Sequence, residues 1–314
     1  MSLLPRMFGR NAGPDVALEI ASDRVSAVRL SPGQEIAAHA VQPLPDGALV
    51  PSLTARNIHD RPTVGEAVAR ALAVLGRPRH VGLLVPDPVA KVSFIRLERI
   101  PERHDELDRL VRWHVRKAVP FPPEEAQVGW ARGGVLADGQ EFVVTVARRA
   151  VIEEYEELCA ATGAHPGIVD LSTFNLANAL LTGQAPPVAD WLLVNVTGGY
   201  VSLALLRDGD LLFFRSRGLD AAEAVPDLIH QTAMYYEDRL QGRGLARVVL
   251  AGPSGARTAD LDDIRRRIET QLPGVVEFVD AHGTGILVGP GDRALMAEGL
   301  LPLVGLLRRR RSAA

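Results

Sequence analysis

From residue 14 the chain alternates apolar and polar positions with a period of two. "VALEI" (16–20) and "VSAVRL" (25–30) read as strands joined by a tight turn, and "QEIAAHAVQPL" (34–44) continues the meander. The period then lengthens. In "TVGEAVARALAVLG" (63–76), Val64, Ala67, Val68, Ala71, Leu72 and Leu75 share one helical face, with Thr63 as the expected cap and Gly76 as the stop. "HVGLLVP" (80–86) is a continuous apolar run, as expected of a buried strand.

A distinct module follows. "KVSFIRLERIP" (91–101) alternates as a strand, and Leu107, Leu110, Val111, Val115 and Ala118 mark one face of a helix. Pro120, Pro122 and Pro123 end that helix, because proline cannot continue its hydrogen-bond ladder. "EFVVTVA" (141–147) is a strand, and "RAVIEEYEELCAATG" (149–163) is a helix with Val151, Tyr155, Leu158, Cys159 and Thr162 facing inward. The order strand, helix, strand, strand, helix makes a compact α+β unit. "PGIVDL" (166–171) leads into a helix through "NLANALL" (175–181), and "TGQAPPVAD" (182–190) reads as a boundary.

After that boundary the opening pattern restarts. "WLLVNVTGGYVSLALLRDGDLLFF" (191–214) is again strand, turn, strand, turn, strand. The turn "EIASDRVS" (19–26) corresponds to "NVTGGYVS" (195–202), a weak internal repeat at a spacing of about 175 residues. A helix over 220–241 follows, with Ala221, Val225, Leu228, Ile229 and Thr232 as its stripe. The strand "RVVLAG", the turn "PSGA", a helix over 259–272 and the strand "VVEFV" come next. The chain closes on an apolar segment and four arginines, Arg308 to Arg311.

Composition narrows the classes. The 314 residues are 47 % hydrophobic, enough for about two domains. A net charge of −3 argues against nucleic acid as a partner. Cys159 is the only cysteine, so an internal disulfide is impossible and a reducing compartment is expected. "MSLLPRMFGRN" lacks the apolar core of a secretory signal, and no stretch reaches the ~18 apolar residues of a membrane span, so a cytoplasmic protein is expected. The eight histidines lack metal-ligand spacing, and no metal site is expected. "EEYEEL" (153–158) reads as the solvated face of an amphipathic helix, not as paired catalytic acids. No Ser-His-Asp or Cys-His arrangement is present, so no catalytic residue is assigned.

Four stretches carry a family resemblance: "RIPERHDELDRLVRWHVRKAVPFPPEEAQVGW", "VARRAVIEEYEELCAATGAHPGIVDLSTFNLANALL", "LLVNVTGGYVSLALLRDGDLLFFRSRGL" and "VVLAGPSGA". Together they resemble the PilM-type actin-like proteins of type IV pilus assembly, relatives of the cell-division protein FtsA, in order and spacing over almost the whole chain. The resemblance implies an α/β, actin-like (ribonuclease H-like) two-lobed fold with an inserted α+β module called 1C. The implied layout is an N-terminal tail (1–13), a first lobe (14–80 with 166–189 and a C-terminal helix near 292–307), the insertion (81–165), a second lobe (190–291) and a basic tail (308–314).

It also implies a nucleotide site between the two hairpin turns, and here the chain departs from the family. The first turn of the family runs Asp-Ile-Gly-Ser-Ser-Ser-Val-Lys. This chain has Glu19, Ile20, Ala21, Ser22, Asp23, Arg24, Val25 and Ser26. Ala21 lacks the conformational freedom of glycine, Asp23 sets a negative charge where phosphate would approach, and Ser26 replaces a lysine. In the second turn Asn195, Val196 and Thr197 stand for Asp-Ile-Gly, so a carboxylate has become an amide, although Thr197, Gly198 and Gly199 leave room for phosphate. In the adenosine loop Gly252, Ser254 and Gly255 surround Pro253, which offers no N–H. The reading is a degenerate site, a pseudo-ATPase with no cofactor expected. ATP with Mg²⁺ is the alternative, Glu19 then contacting the metal or its water. Otherwise Glu19 is a strand-end carboxylate, and Asp170 is either an acid near the cleft or a helix N-cap.

The implied partner is the short cytoplasmic tail of a PilN-like inner-membrane protein. It would bind in a groove carrying Phe94, Leu97, Leu110, Trp113 and Phe121, with Trp113 and Trp130 packing at the "PFPP" corner. The expected role is a structural adaptor at the inner face of the inner membrane, touching the membrane only through partners. An active actin-like ATPase is the alternative. So is an FtsA-like filament whose Arg308 to Arg311 dock on lipid, and self-assembly into a homo-oligomer stays open. "SLLPR" (2–6) resembles the tail such partners insert.

Overall fold

The computed structural model describes residues 14–32, 35–182, 189–218, 224–252, 258–271, 275–279 and 299–308. The chain divides into two compact units, Met1–Ala179 with Pro302–Ala314, and Leu180–Leu301.

In the first unit β1 (Val16–Ile20), β2 (Arg24–Leu30) and β3 (Ile36–Pro43) form an antiparallel meander. β4 (His80–Val85) and β8 (His165–Leu171) then add in parallel, giving the order β3-β2-β1-β4-β8. Near-continuous apolar runs such as "VGLLV" suit strands buried on both faces. α1 (Arg61–Val74) buries Val64, Ala67, Val68, Ala71 and Leu72, as its period predicts. Its cap, however, is Asp60 and not Thr63. The Asp60 carboxylate accepts from the Thr63 amide at 3.1 Å and from the Thr63 hydroxyl at 2.7 Å, so Thr63 is the residue being capped. Gly76, at φ +77°, ends the helix.

Between β4 and β8 sits a separate sheet of three antiparallel strands, ordered β5-β7-β6. Its elements are β5 (Ala90–Leu97), α2 (His104–Val115), β6 (Ala126–Leu136), β7 (Gly139–Arg148) and α3 (Arg149–Ala161). An insertion beginning at 81 would cut into β4, whose parallel pairing to β1 fixes it in the lobe sheet, so the separate sheet starts at Ala90. α2 ends before the prolines, leaving Ala118 beyond its apolar stripe and exposed. Leu107, Val111 and Val115 pack on Leu97, Phe121, Phe142, Val144 and Val146 to form the module's own core. The loop before α1 is bound to α3: the Glu154 carboxylate accepts from the Asn57 and Ile58 amides, each at 3.0 Å, and the Tyr155 hydroxyl donates to Asn57 at 3.0 Å.

α4 (Ser172–Thr182) follows β8, and α7 (Leu301–Arg308) packs against it. A Cβ on Gly305 would lie 1.9 Å from the Asn175 carbonyl oxygen, so only glycine permits this approach.

The second unit repeats the plan. β9 (Trp191–Val196), β10 (Tyr200–Arg207) and β11 (Asp210–Gly218) form a meander, and β12 (Arg247–Ala251) and β13 (Val275–Phe278) add in parallel, in the order β11-β10-β9-β12-β13. α5 (Ala224–Leu240) and α6 (Thr258–Gln271) supply Val225, Leu228, Ile229, Ile264 and Ile268 to its core. The same strand order in both units is the duplicated actin-like plan.

Candidate functional site

In open α/β sheets, ligands gather at the carboxyl ends of parallel strands. Glu19, Leu84 and Asp170 lie in one row there, across β1, β4 and β8. Two strand spacings separate the backbones of the strands that carry the two acids by roughly 10 Å. Antiparallel pairing sets Ser26 opposite Glu19.

Glu19 is buried. Its Oε1 accepts from the Ser172 hydroxyl, and its Oε2 lies 3.6 Å from Nη2 of Arg24. Arg24 is buried too, and its Nη1 is 3.3 Å from both carboxylate oxygens of Asp23. Burial pushes the Glu19 carboxyl above its ordinary value, against the downward pull of Arg24 and of the Ser172 hydrogen bond. The Ala21 amide donates to the Arg24 carbonyl at 2.9 Å, closing a turn over Ser22 and Asp23, and Ala21 is not among the positive-φ residues. Glu19 is thus neither a free metal contact nor a simple strand-end cap, but one member of a buried ion pair.

Asp170 sits on β8, and its Oδ1 accepts from the Leu171 amide at 2.9 Å. Buried Asp87 holds the first turn of α4, accepting from the Thr173 amide at 3.1 Å and from the Thr173 hydroxyl.

The turn of the second unit is built differently. The Thr197 amide donates to the Tyr200 carbonyl at 2.9 Å. The Thr197 hydroxyl donates to the same carbonyl at 2.9 Å and accepts from the Tyr200 and Gly199 amides at 3.1 and 3.4 Å. Amides that a phosphate would seek are directed to the protein's own hydroxyl. Asn195 is buried in register with Ser202 and Ala251. A Cβ on Gly252 would lie 2.8 Å from the Val196 carbonyl oxygen, so this glycine serves the close approach of the chain to β9. Ser254 and Gly255 lie outside the described residues, as do residues 2–6 and Arg309 to Arg311.

A divalent cation needs several oxygen ligands at 2.0–2.6 Å. Around Glu19 one oxygen is engaged by Ser172 and the other faces a guanidinium. Each pair of like unit charges at 4 Å costs about 4 kcal/mol at an effective dielectric near 20, and a divalent ion doubles that. No group of three His, Cys, Asp or Glu among the described residues is placed to hold a metal. The residues present do not fit Mg²⁺.

The expected groove residues do not share one surface. Leu97 and Phe121 are buried in the core under α2, with Leu110 packed at its edge. Phe94 pairs with Val143, whereas Ile95 pairs with the core residue Phe142, so Phe94 lies on the opposite face of the sheet. Trp113 is 56 % exposed on the outer side of α2, with Arg116 stacked 3.9 Å from its ring. Trp130 packs on Phe142 in the module core and donates to Asp108 at 3.0 Å. Burial raises the Asp108 carboxyl, but hydrogen bonds from Arg112 and Trp130 outweigh that and hold it below its ordinary value.

One match shows kinship, and two show likeness of fold. The family model described as type IV pilus assembly protein PilM matches residues 17–254. The chain belongs to the PilM family. No curated protein sequence matches this PilM-family chain. A chain of a solved PilM–PilN type IV pilus biogenesis complex is similar to it in structure, with a TM-score of 0.79 at 18 % identity, covering 95 % of this chain and 99 % of that one. The cytoplasmic domain of EpsL, an inner-membrane component of the type II secretion system of Vibrio cholerae, gives a TM-score of 0.51 at 12 % identity, covering 95 % and 94 %. At such identities the likeness is one of fold. Arg24, Ser172, Asp87 and the tying role of Thr197 are the residues that sequence reasoning left in the background. The signal for Arg24 was its place at the start of β2, two residues before Ser26, the register partner of Glu19.

Proposed function

We propose that this PilM-family chain is a cytoplasmic adaptor of a type IV pilus or related secretion machine. Its inserted module takes the N-terminal tail of a PilN-like inner-membrane protein, and its nucleotide site is degenerate. The observation that carries the reading is family membership, together with likeness over nearly the whole chain to a chain of a solved PilM–PilN complex. No described helix is long and apolar enough to cross a membrane.

β5 is the element that suits an extended tail. Among the described residues it pairs only with β7, leaving its other edge to accept a strand, and half-buried Phe94 sits on it. Main-chain pairing with one or two apolar anchors is how such peptides bind. The degenerate-site part rests on Arg24 beside Glu19, the amide Asn195, and the Thr197 hydroxyl bonded within its own turn.

The test is a fluorescence titration of the full chain with a synthetic peptide carrying a PilN-like cytoplasmic tail. Saturable binding is expected, weakened about tenfold (~1.4 kcal/mol) by Phe94→Ser and unchanged by Trp113→Ala. No binding by the folded wild type overturns the adaptor reading. Loss on Trp113→Ala with Phe94→Ser silent moves the tail to α2.

A further inference from the structure

We infer that Arg24 is the resident cation of the first hairpin, its guanidinium standing beside Glu19 where a nucleotide-binding member of this fold would place a divalent metal. The inference deepens the degenerate-site reading by naming the residue that closes the site.

A plain structural ion pair is the competing account. Such a pair survives burial when its remaining donors and acceptors are satisfied. Here they are not. Glu19 Oε2, Arg24 Nε, Ser22 Oγ and Ser26 Oγ are all buried without a hydrogen-bond partner, and all four belong to one hairpin. Ser26 lies directly opposite Glu19, and both are buried on the same sheet face. Glu19, Ser22 and Ser26 bring buried oxygen atoms to one hairpin, the ligand type a hard cation prefers. That oxygen-rich lining persists with a monovalent organic cation against it. Asp23 holds the guanidinium from its other side at 3.3 Å, so Arg24 is bracketed by two carboxylates.

The two requirements are incompatible. A divalent ion on Glu19 must come within 2.0–2.6 Å of a carboxylate oxygen, and Nη2 of Arg24 already lies 3.6 Å from Oε2. The ion therefore enters only if Arg24 leaves. Arginine does not deprotonate, so no accessible pH empties the seat.

The experiment measures Mn²⁺ binding to the full-length protein by electron paramagnetic resonance, on wild type, Glu19→Gln, Arg24→Gln, Arg24→Gly and the double variant Glu19→Gln/Arg24→Gln. Thermal unfolding checks that each is folded. Wild type is expected to show no Mn²⁺ site that depends on Glu19. Arg24→Gln gains one, at least tenfold tighter than any wild-type binding, and the double variant loses it. Arg24→Gly supplies the same comparison should the glutamine variant fail to fold. A wild-type Mn²⁺ site abolished by Glu19→Gln overturns the proposal, and so does a folded Arg24 variant that gains no site. Tail binding tests the adaptor reading separately, because neither Arg24 nor Glu19 lies on β5.

Discussion

The two hairpin turns are copies of one another solved in opposite ways. The closing hydrogen bond runs from Ala21 to Arg24 in the first unit and from Thr197 to Tyr200 in the second. The buried pairs Glu19–Ser26 and Asn195–Ser202 occupy matching register positions, with the same offset of 176 residues from 19 to 195 and from 26 to 202. The first turn has no side-chain hydroxyl at Ala21 and is held by charge, with Arg24 between Glu19 and Asp23. The second has no charge and is held by one hydroxyl that answers two amides. A turn that binds phosphate must leave its amides and its cation seat open. In the proposed reading each copy has closed one of these with its own atoms.

That contrast orders the consequences of mutation. The largest is expected from Glu19→Ala, which leaves Arg24 buried with only the more exposed Asp23 for company. Removing one partner of a buried pair costs about 3 kcal/mol, read as a lowered denaturant midpoint. Gly252→Ala is next. A methyl 2.8 Å from the Val196 carbonyl forces the strand ends apart, at about 2 kcal/mol, and damages the second unit alone, which amide hydrogen exchange resolves. Thr197→Ala removes the hydroxyl from the second turn and costs about 1 kcal/mol, whereas Thr197→Ser leaves stability nearly unchanged because the oxygen remains.

The smallest effect separates the turns by pH. Burial raises the Glu19 carboxyl above its ordinary 4.5, so the folded state holds its proton more tightly than the unfolded chain. The stability contributed this way is fully present below 4.5 and is lost as pH rises through the raised value. Denaturant melts across that range should show a downward slope for wild type that Glu19→Gln removes. Asn195→Ala should leave the slope in place, since an amide does not titrate.

Much of the fold was legible because it is periodic. The α1 stripe and both meanders follow from spacing alone, and the duplicated plan from the repeat of "EIASDRVS" in "NVTGGYVS". The site was less legible because its partners are far apart in sequence. Ser172 reaches Glu19 from 153 positions away, and Asp87 caps a helix 86 positions on. Local rules left Asp170 open between an acid near the cleft and that cap, and gave the α1 cap to Thr63 instead of Asp60. The groove residues carried a signal that went unused. Phe94 and Leu97 are three apart on a strand, and alternation puts such residues on opposite faces. Trp113 lies off the stripe of Leu107, Val111 and Val115, which marks it as outward-facing.

The closure of both turns is tested most directly by calorimetric titration of wild type with ATP, with and without Mg²⁺. The account predicts no saturable heat in either case at millimolar nucleotide. Micromolar binding that requires Mg²⁺ and disappears in Glu19→Gln would contradict it.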